Sequence, residues 1–241
     1  MSKKTRQSFQ VRSYEVDINS KIRLNALWNY MLETAWNNAA ELGASVLDLH
    51  ELGISWVLSR LKLTIHHYPN HQDEVYVESW PSGFAKFFVY RDFRIYNSNH
   101  ELIAEATSTW VVFDLASRKL TSLPDQFKSL LSYEEEEALP RANGKMADLD
   151  DAELLKRFNA RWSDVDNNRH VNNGAIVQWI SETMTDGRLG STLSELDIIF
   201  KKECRYGDEI YSKVQFKKNY SYHSLELKGG QLAAQAILKH I

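Results

Sequence analysis

Within eight residues, from 166 to 173, the string DNNRHVNN sets a carboxylate, an imidazole and several carboxamides side by side. Histidine is the side chain whose unperturbed pKa lies near neutrality, so His170 can hold or pass a proton at working pH. Asp166 and Asn168 precede it by four and two residues, close enough for one tight turn to orient all three. Apolar residues at helical spacing follow, which places Asn172 or Asn173 to cap a helix. The amide N–H groups at such a helix start, with the dipole behind them, suit negative charge developing on a carbonyl oxygen. A plainer reading stands beside this one, since Asp and Asn ahead of a helix also serve as ordinary turn and cap residues.

The elements that must position these groups come in two copies. Displaced by 149 positions, Arg12, Val16, Asp17, Asn19, Ala26, Glu33 and Thr34 meet Arg161, Val165, Asp166, Asn168, Ala175, Glu182 and Thr183. Ile22 also meets Val171, Tyr30 meets Trp179 and Met31 meets Ile180. Each copy reads as a short extended piece (9–16 and 157–165), a polar turn and an amphipathic helix. Leu24, Leu27, Trp28, Met31 and Ala35 form the first stripe, with Gly43 to stop it. Ile176, Trp179, Ile180 and Thr183 form the second, closed by Gly187.

Strands are expected after each helix: 56–66, 74–80, 86–96 and 101–114, then 196–204, 209–216, 221–228 and 231–238. Pro69-Asn70, Pro81-Ser82-Gly83, Asn97-Ser98-Asn99, Gly207-Asp208 and Gly229-Gly230 mark the turns. One striped helix on an antiparallel sheet of about five strands is a two-layer α+β solution. The acidic segment 132–151, with Glu134 to Glu137, Pro140 and Gly144, reads as a solvated linker. A duplicated fold needs one core twice but only one site, so polar differences between the copies point to chemistry. His170 stands for Lys21, Asn172 for Arg23 and Asn173 for Leu24. The chemistry is expected in the second copy.

Bulk properties narrow the class. With 241 residues, the chain can form one large domain or two small ones. Its 43% hydrophobic and 25% charged residues are those of an ordinary globular protein. A net charge of -3 argues against a nucleic-acid partner. The single cysteine, Cys204, excludes an internal disulfide and a cysteine-rich metal site. The start, MSKKTRQSFQ, lacks the apolar core of a secretory signal. No stretch approaches the roughly 18 apolar residues of a membrane span. A soluble cytoplasmic protein with no membrane partner is expected.

WSDVDNNRHVNN, the WISET helix and the downstream IIFKKEC resemble the acyl-acyl-carrier-protein (acyl-ACP) thioesterases of plants and bacteria. VRSYEVD and LWNYMLETAWNNAAELG extend the resemblance through the first half. It implies two tandem hot-dog domains, each a helix wrapped by an antiparallel sheet, at 1–131 and 152–241, with 132–151 as linker. It implies hydrolysis of fatty acyl-ACP thioesters in fatty acid biosynthesis, releasing free fatty acid and holo-ACP, with no metal and no cofactor.

Carried over residue by residue, the catalytic groups would be Asp166, Asn168, His170 and Glu203, with Cys204 as an alternative nucleophile. Neighbouring residues on a strand face opposite ways, and Cys204 shares the more apolar parity, so Glu203 is favoured and Cys204 reads as packing. Asn172 and Asn173 would bind substrate, while Trp28 and Trp56, with Trp80, would line an acyl slot in the first half. Lys201-Lys202 and Lys217-Lys218 offer contacts for an acidic carrier protein. No plastid-type leader precedes Ser8, which fits a bacterial enzyme, and the assembly is expected to be a monomer or homodimer. Two rival readings remain: an acyl-CoA thioesterase of the hot-dog group, and a non-catalytic acyl-binding module. Chain length and saturation preference depend on pocket depth.

Overall fold

The computed structural model describes residues 3–130, 136–149, 152–187 and 192–241. They divide into two compact units, Met1–Arg23 with Leu27–Ala142, and Asn143–Ile241 with Leu24–Ala26. No described helix is long and apolar enough to cross a membrane.

The first unit runs β1 (Thr5–Gln10), α1 (Leu24–Glu41), α2 (Val46–His50), β2 (Ile54–Ile65), β3 (Glu74–Ala85), β4 (Phe88–Asn97), β5 (Leu102–Asp114), β6 (Lys119–Thr121) and α3 (Asp125–Leu130). Its strands pair antiparallel in the order β1-β3-β4-β5-β2, with β6 on β5. Period-two alternation buries Leu61, Leu63, Val75, Val77, Phe93 and Ile95. The expected stripe of α1 is buried as well, at Leu27, Trp28, Met31 and Ala35. Arg91 shares the sheet face of Phe93 and donates to Asn38 Oδ1 of α1 at 2.6 Å, which sets the helix over that face. Gly43 ends α1 as expected. At φ 67° it adopts the left-handed geometry that lets Ala44 N–H reach Ala39 O and its own N–H reach Ala40 O.

The second unit repeats the plan with β7 (Glu153–Asn159), α4 (Asn173–Gly187), β8 (Leu193–Phe200), β9 (Glu209–Lys217), β10 (Tyr220–Leu227) and β11 (Leu232–His240). Its sheet order is β8-β11-β10-β9-β7. Each unit is thus the helix-on-antiparallel-sheet arrangement of the hot-dog fold, an α+β architecture.

The duplication extends to single contacts. Phe9 stacks on Tyr30 with centroids 4.4 Å apart, and Phe158 stacks on Trp179 at 5.6 Å. Thr34 Oγ1 donates to Tyr30 O at 2.9 Å, and Thr183 Oγ1 donates to Trp179 O at 2.8 Å. Val11 N–H bonds Asp73 O, and Ala160 N–H bonds Asp208 O. The last pair shows the offset falling to 135, because the first unit inserts residues, α2 among them, between its helix and its meander.

Three sequence expectations need correction. Pro81-Ser82-Gly83 is not a turn: β3 runs on to Ala85, with a bulge between Pro81 and Gly83. β1 pairs with β3 only as far as Ser79, so Pro81 sits on an open edge where its missing N–H is tolerated. Strand β8 stops at Phe200, short of Glu203 and Cys204. Nor is the connecting segment simply solvated. Residues 136–142 belong to the first unit, where Glu136 pairs with Lys4 and Arg94, Glu136 O accepts from Trp80 Nε1, and Ala138 N–H bonds Asp92 Oδ2. Residues 143–149 belong to the second, where Ala147 O accepts from Gln235 Nε2. The expected linker positions 132–135, 150 and 151 lie outside the described residues.

Arg141 fastens this segment through Ser82 O at 2.8 Å, with its guanidinium 3.9 Å from the Tyr90 ring centroid. A Cβ on Gly83 would lie 2.9 Å from Arg141 Nη2, and φ is +146° there. Gly83→Ala is therefore expected to cost about 1–3 kcal/mol, read as a lower melting temperature; a wild-type melt would refute the constraint.

In the second unit Ser221 Oγ lies 2.7 Å from His240 Nε2 and 2.8 Å from His223 Nε2, all buried. Burial first, and then His240, push His223 down to about 3. His223 is neutral when folded, whereas the unfolded ring protonates below about 6.5. The associated stability is present above that pH and is lost as pH falls toward 3. Unfolding free energy is expected to drop between pH 7 and 5, and less so in His223→Gln; identical pH dependence in both proteins would refute the assignment.

Candidate active site

The turn that carries His170 is built from backbone and Asp166. Asp166 N–H donates to His170 O at 2.9 Å, Arg169 N–H returns to Asp166 O at 2.9 Å, and Asp166 Oδ1 accepts Asn168 N–H at 2.8 Å. Arg169 takes the left-handed conformation, φ 63°, that closes so tight a loop. The first unit makes the same turn, with Asp17 N–H on Lys21 O, Asp17 Oδ1 accepting Asn19 N–H, and Ser20 at φ 61°. Asp166 therefore holds the turn, a duty it shares with its counterpart. Its carboxylate serves the backbone and not the imidazole.

Glu203 reaches His170 from the loop after β8. His170 Nε2 stands 3.1 Å from Glu203 Oε2, with both side chains partly open to solvent. One backbone bond ties the loops together, from Val171 N–H to Cys204 O at 2.8 Å. In the first unit the matching bond runs from Ile22 N–H to Pro69 O. That correspondence makes Tyr68 the counterpart of Glu203, as Lys21 is of His170. The frame is common to both units, but at these two positions only the second carries an imidazole and a carboxylate.

Cys204 points the other way. The residue is 1% exposed, and burial, followed by nearby Asp208, pushes its thiol up to about 12, against a smaller opposing pull from Lys202. A thiol so held is not ionised at neutral pH and is a poor nucleophile. Neither residue lies in β8, so the strand alternation expected from the sequence does not apply to them.

Asn172 caps α4, its Oδ1 accepting Gly174 N–H at 2.7 Å while its carbonyl takes Ala175 N–H at 3.0 Å. That consumes part of the amide cradle anticipated at the helix start, and leaves Asn173 N–H as the donor in the first turn. Asn173 is half-buried and Asn168 is exposed.

Trp28 and Trp56 lie in the first unit, within packed structure. Trp28 is buried on α1, and Trp56 packs against a cluster that includes Ala44, Leu49 and Ile54, with its Nε1 donating to Ala44 O at 3.0 Å. Trp80 sits on the sheet face opposite the one Ser79 presents to Arg91, beneath Lys4 and Arg94, so it does not line a slot beside α1. Among the described residues, no three of His, Cys, Asp and Glu converge to hold a metal ion. Tyr68, the telling substitution in the first unit, was legible only once the post-helix offset of 135 was known.

A thiol reagent such as Ellman's is expected to react with Cys204 in folded protein at least about 100-fold more slowly than in denaturant, following the thiolate fraction. Rapid stoichiometric labelling of native protein at pH 7 would overturn the buried assignment.

The family model described as the acyl-ACP thioesterase N-terminal domain matches residues 2–131, and that of the C-terminal domain matches 147–240. A chloroplastic palmitoyl-acyl carrier protein thioesterase of Gossypium hirsutum is 29% identical over 212 residues, 82% of this chain and 51% of its own. A chloroplastic dodecanoyl-[acyl-carrier-protein] hydrolase of Umbellularia californica is 27% identical over 255 residues, 96% of this chain and 66% of its own. The chain spans about half the length of the first curated relatives it matches (51% and 52%). Among solved structures, an acyl-ACP thioesterase from Bacteroides thetaiotaomicron matches with a TM-score of 0.91 at 22% identity, over 100% of both chains. The 12:0-ACP thioesterase of Umbellularia californica matches with 0.91 at 24%, over 100% of this chain and 98% of that one. At those identities the structural likeness speaks for the fold.

Proposed function

The chain belongs to the acyl-ACP thioesterase family, and on that footing we propose that it hydrolyses the thioester between a fatty acyl chain and acyl carrier protein, releasing free fatty acid and holo-ACP. The observation that carries the reading is the 3.1 Å approach of His170 Nε2 to Glu203 Oε2, at a place where the first unit has Lys21 and Tyr68 instead.

With Nε2–H directed at Glu203, the imidazole keeps its lone pair on Nδ1. Nδ1 draws a proton from water as the oxygen bonds the thioester carbon. The carbonyl oxygen becomes an oxyanion, met by Asn173 N–H at the helix start and by the Asn168 carboxamide. The Glu203 carboxylate stabilises the imidazolium formed in that step. Collapse of the tetrahedral intermediate breaks the C–S bond, and the departing thiolate takes the proton from the ring. No side chain is acylated, in keeping with the burial of Cys204.

His170→Ala and Glu203→Gln are each expected to lower kcat on acyl-ACP by about 10²–10⁴-fold, with melting temperature unchanged. Cys204→Ser should retain turnover. Wild-type rates in both site variants would overturn the assignment. Matched acyl-ACP and acyl-CoA substrates of one chain length test the carrier, and a kcat/KM favouring acyl-CoA would reassign it.

A further inference from the structure

The loops that bring His170 and Glu203 together also carry two large aromatic rings in solvent. Trp162 is 78% exposed and Tyr206 64% exposed. They meet edge to face, centroids 6.0 Å apart, one from each loop. Neither ring is needed to fill the core, so the pair is surface area set out to be covered. At the matching places in the first unit stand Ser13 and His71, which make no such pair.

The two loops, 161–170 and 201–208, carry Arg161, Arg169, Lys201, Lys202 and Arg205 against Asp164, Asp166, Glu203 and Asp208, a small excess of positive charge. Arg169, Lys201 and Arg205 are exposed and make no ion pair among the described residues. The acids beside them are turned inward or engaged: Asp164 with Arg161, Asp166 with Asn168 N–H, Glu203 with His170 and Asp208 with Arg205 N–H. Exposed cations without an ion-pair partner among the described residues thus stand within two residues of His170 and Glu203 in the chain, in a protein whose net charge is -3.

We propose that Trp162 and Tyr206, rimmed by Arg169, Lys201 and Arg205, form the docking surface for the protein part of the substrate, an acidic carrier protein. This rests on the acyl-ACP reading above. Tryptophan, tyrosine and arginine are the residues on which interface energy concentrates. A cationic rim around an aromatic centre steers an acidic partner to the place where its thioester must arrive. A second copy of this chain fits poorly, because the same cations would face each other.

The test compares one acyl chain on two carriers, acyl carrier protein and N-acetylcysteamine, a small uncharged thioester with no protein to dock. Trp162→Ala, Tyr206→Ala and Arg205→Glu in the full chain are expected to raise KM for the carrier-protein thioester about tenfold. Hydrolysis of the small thioester should stay at the wild-type rate. Raised salt should increase KM for the carrier protein in wild type and less in Arg205→Glu. Unchanged KM in all three variants, with the small thioester still cleaved, would overturn the docking surface and leave the activity standing. A parallel loss on both substrates would also overturn it. If wild-type protein cleaves neither substrate, the hydrolase reading fails and takes this one with it. Sedimentation showing a wild-type dimer that Trp162→Ala dissociates, or Trp162-dependent pelleting with anionic phosphatidylglycerol vesicles, would reassign the surface to self-association or to a membrane.

Discussion

A single backbone hydrogen bond, from Val171 N–H to Cys204 O, fixes the relation between two stretches of chain that are 33 residues apart in sequence. It joins residues immediately after His170 and Glu203, so those side chains are delivered to one place by main-chain geometry. The turn closed by Asp166 and the cap supplied by Asn172 then fix the loop at both ends. Main-chain freedom of the two loops is restricted before any substrate arrives, which is how a short polar cluster gains precision without a large network. Cys204 contributes its carbonyl to this frame, while its sulfur fills the core.

The same frame in the first unit, Ile22 N–H on Pro69 O, shows that none of this architecture is specific to chemistry. The turn, the ring stack onto the helix and the threonine back-bond all recur. What differs is a handful of side chains placed on a common scaffold. Lys21 and Tyr68 replace the imidazole and the carboxylate, and Ser13 and His71 replace the exposed aromatic pair. Function here is a matter of decoration, and the fold supplies the positions.

Much of this was legible in the sequence, because it depends on local pattern. The stripe on α1, its stop at Gly43 and the polar turn before each helix are short-range features with direct signals. The twofold repeat was visible because Arg12, Asp17 and Thr34 have identical partners at one spacing. Other features are decided by contacts that pattern does not encode. Pro81 and Gly83 signal a turn, yet they sit in β3 because the strand beside them has already ended. The acids of 136–142 signal solvent, yet Glu136 finds Lys4, just before β1, and Arg94 of β4. Strand β8 ends early because Lys201 and Lys202 both direct their N–H groups to Ala233 O, breaking the ladder just before Glu203. Helix α2 was missed although its capping box, Ser45 with Asp48, was there to be read. The pairing of His170 with Glu203 came from family resemblance; no local rule links two loops so far apart.

With Lys21 and Tyr68 at the places that His170 and Glu203 take in the second unit, each polypeptide carries the same loop frame twice but this imidazole–carboxylate contact once. Substitutions at Lys21 or Tyr68 leave the His170–Glu203 contact itself untouched. Two units joined in one chain can thus carry different side chains on the same frame, a freedom that an assembly of identical single-unit subunits does not have.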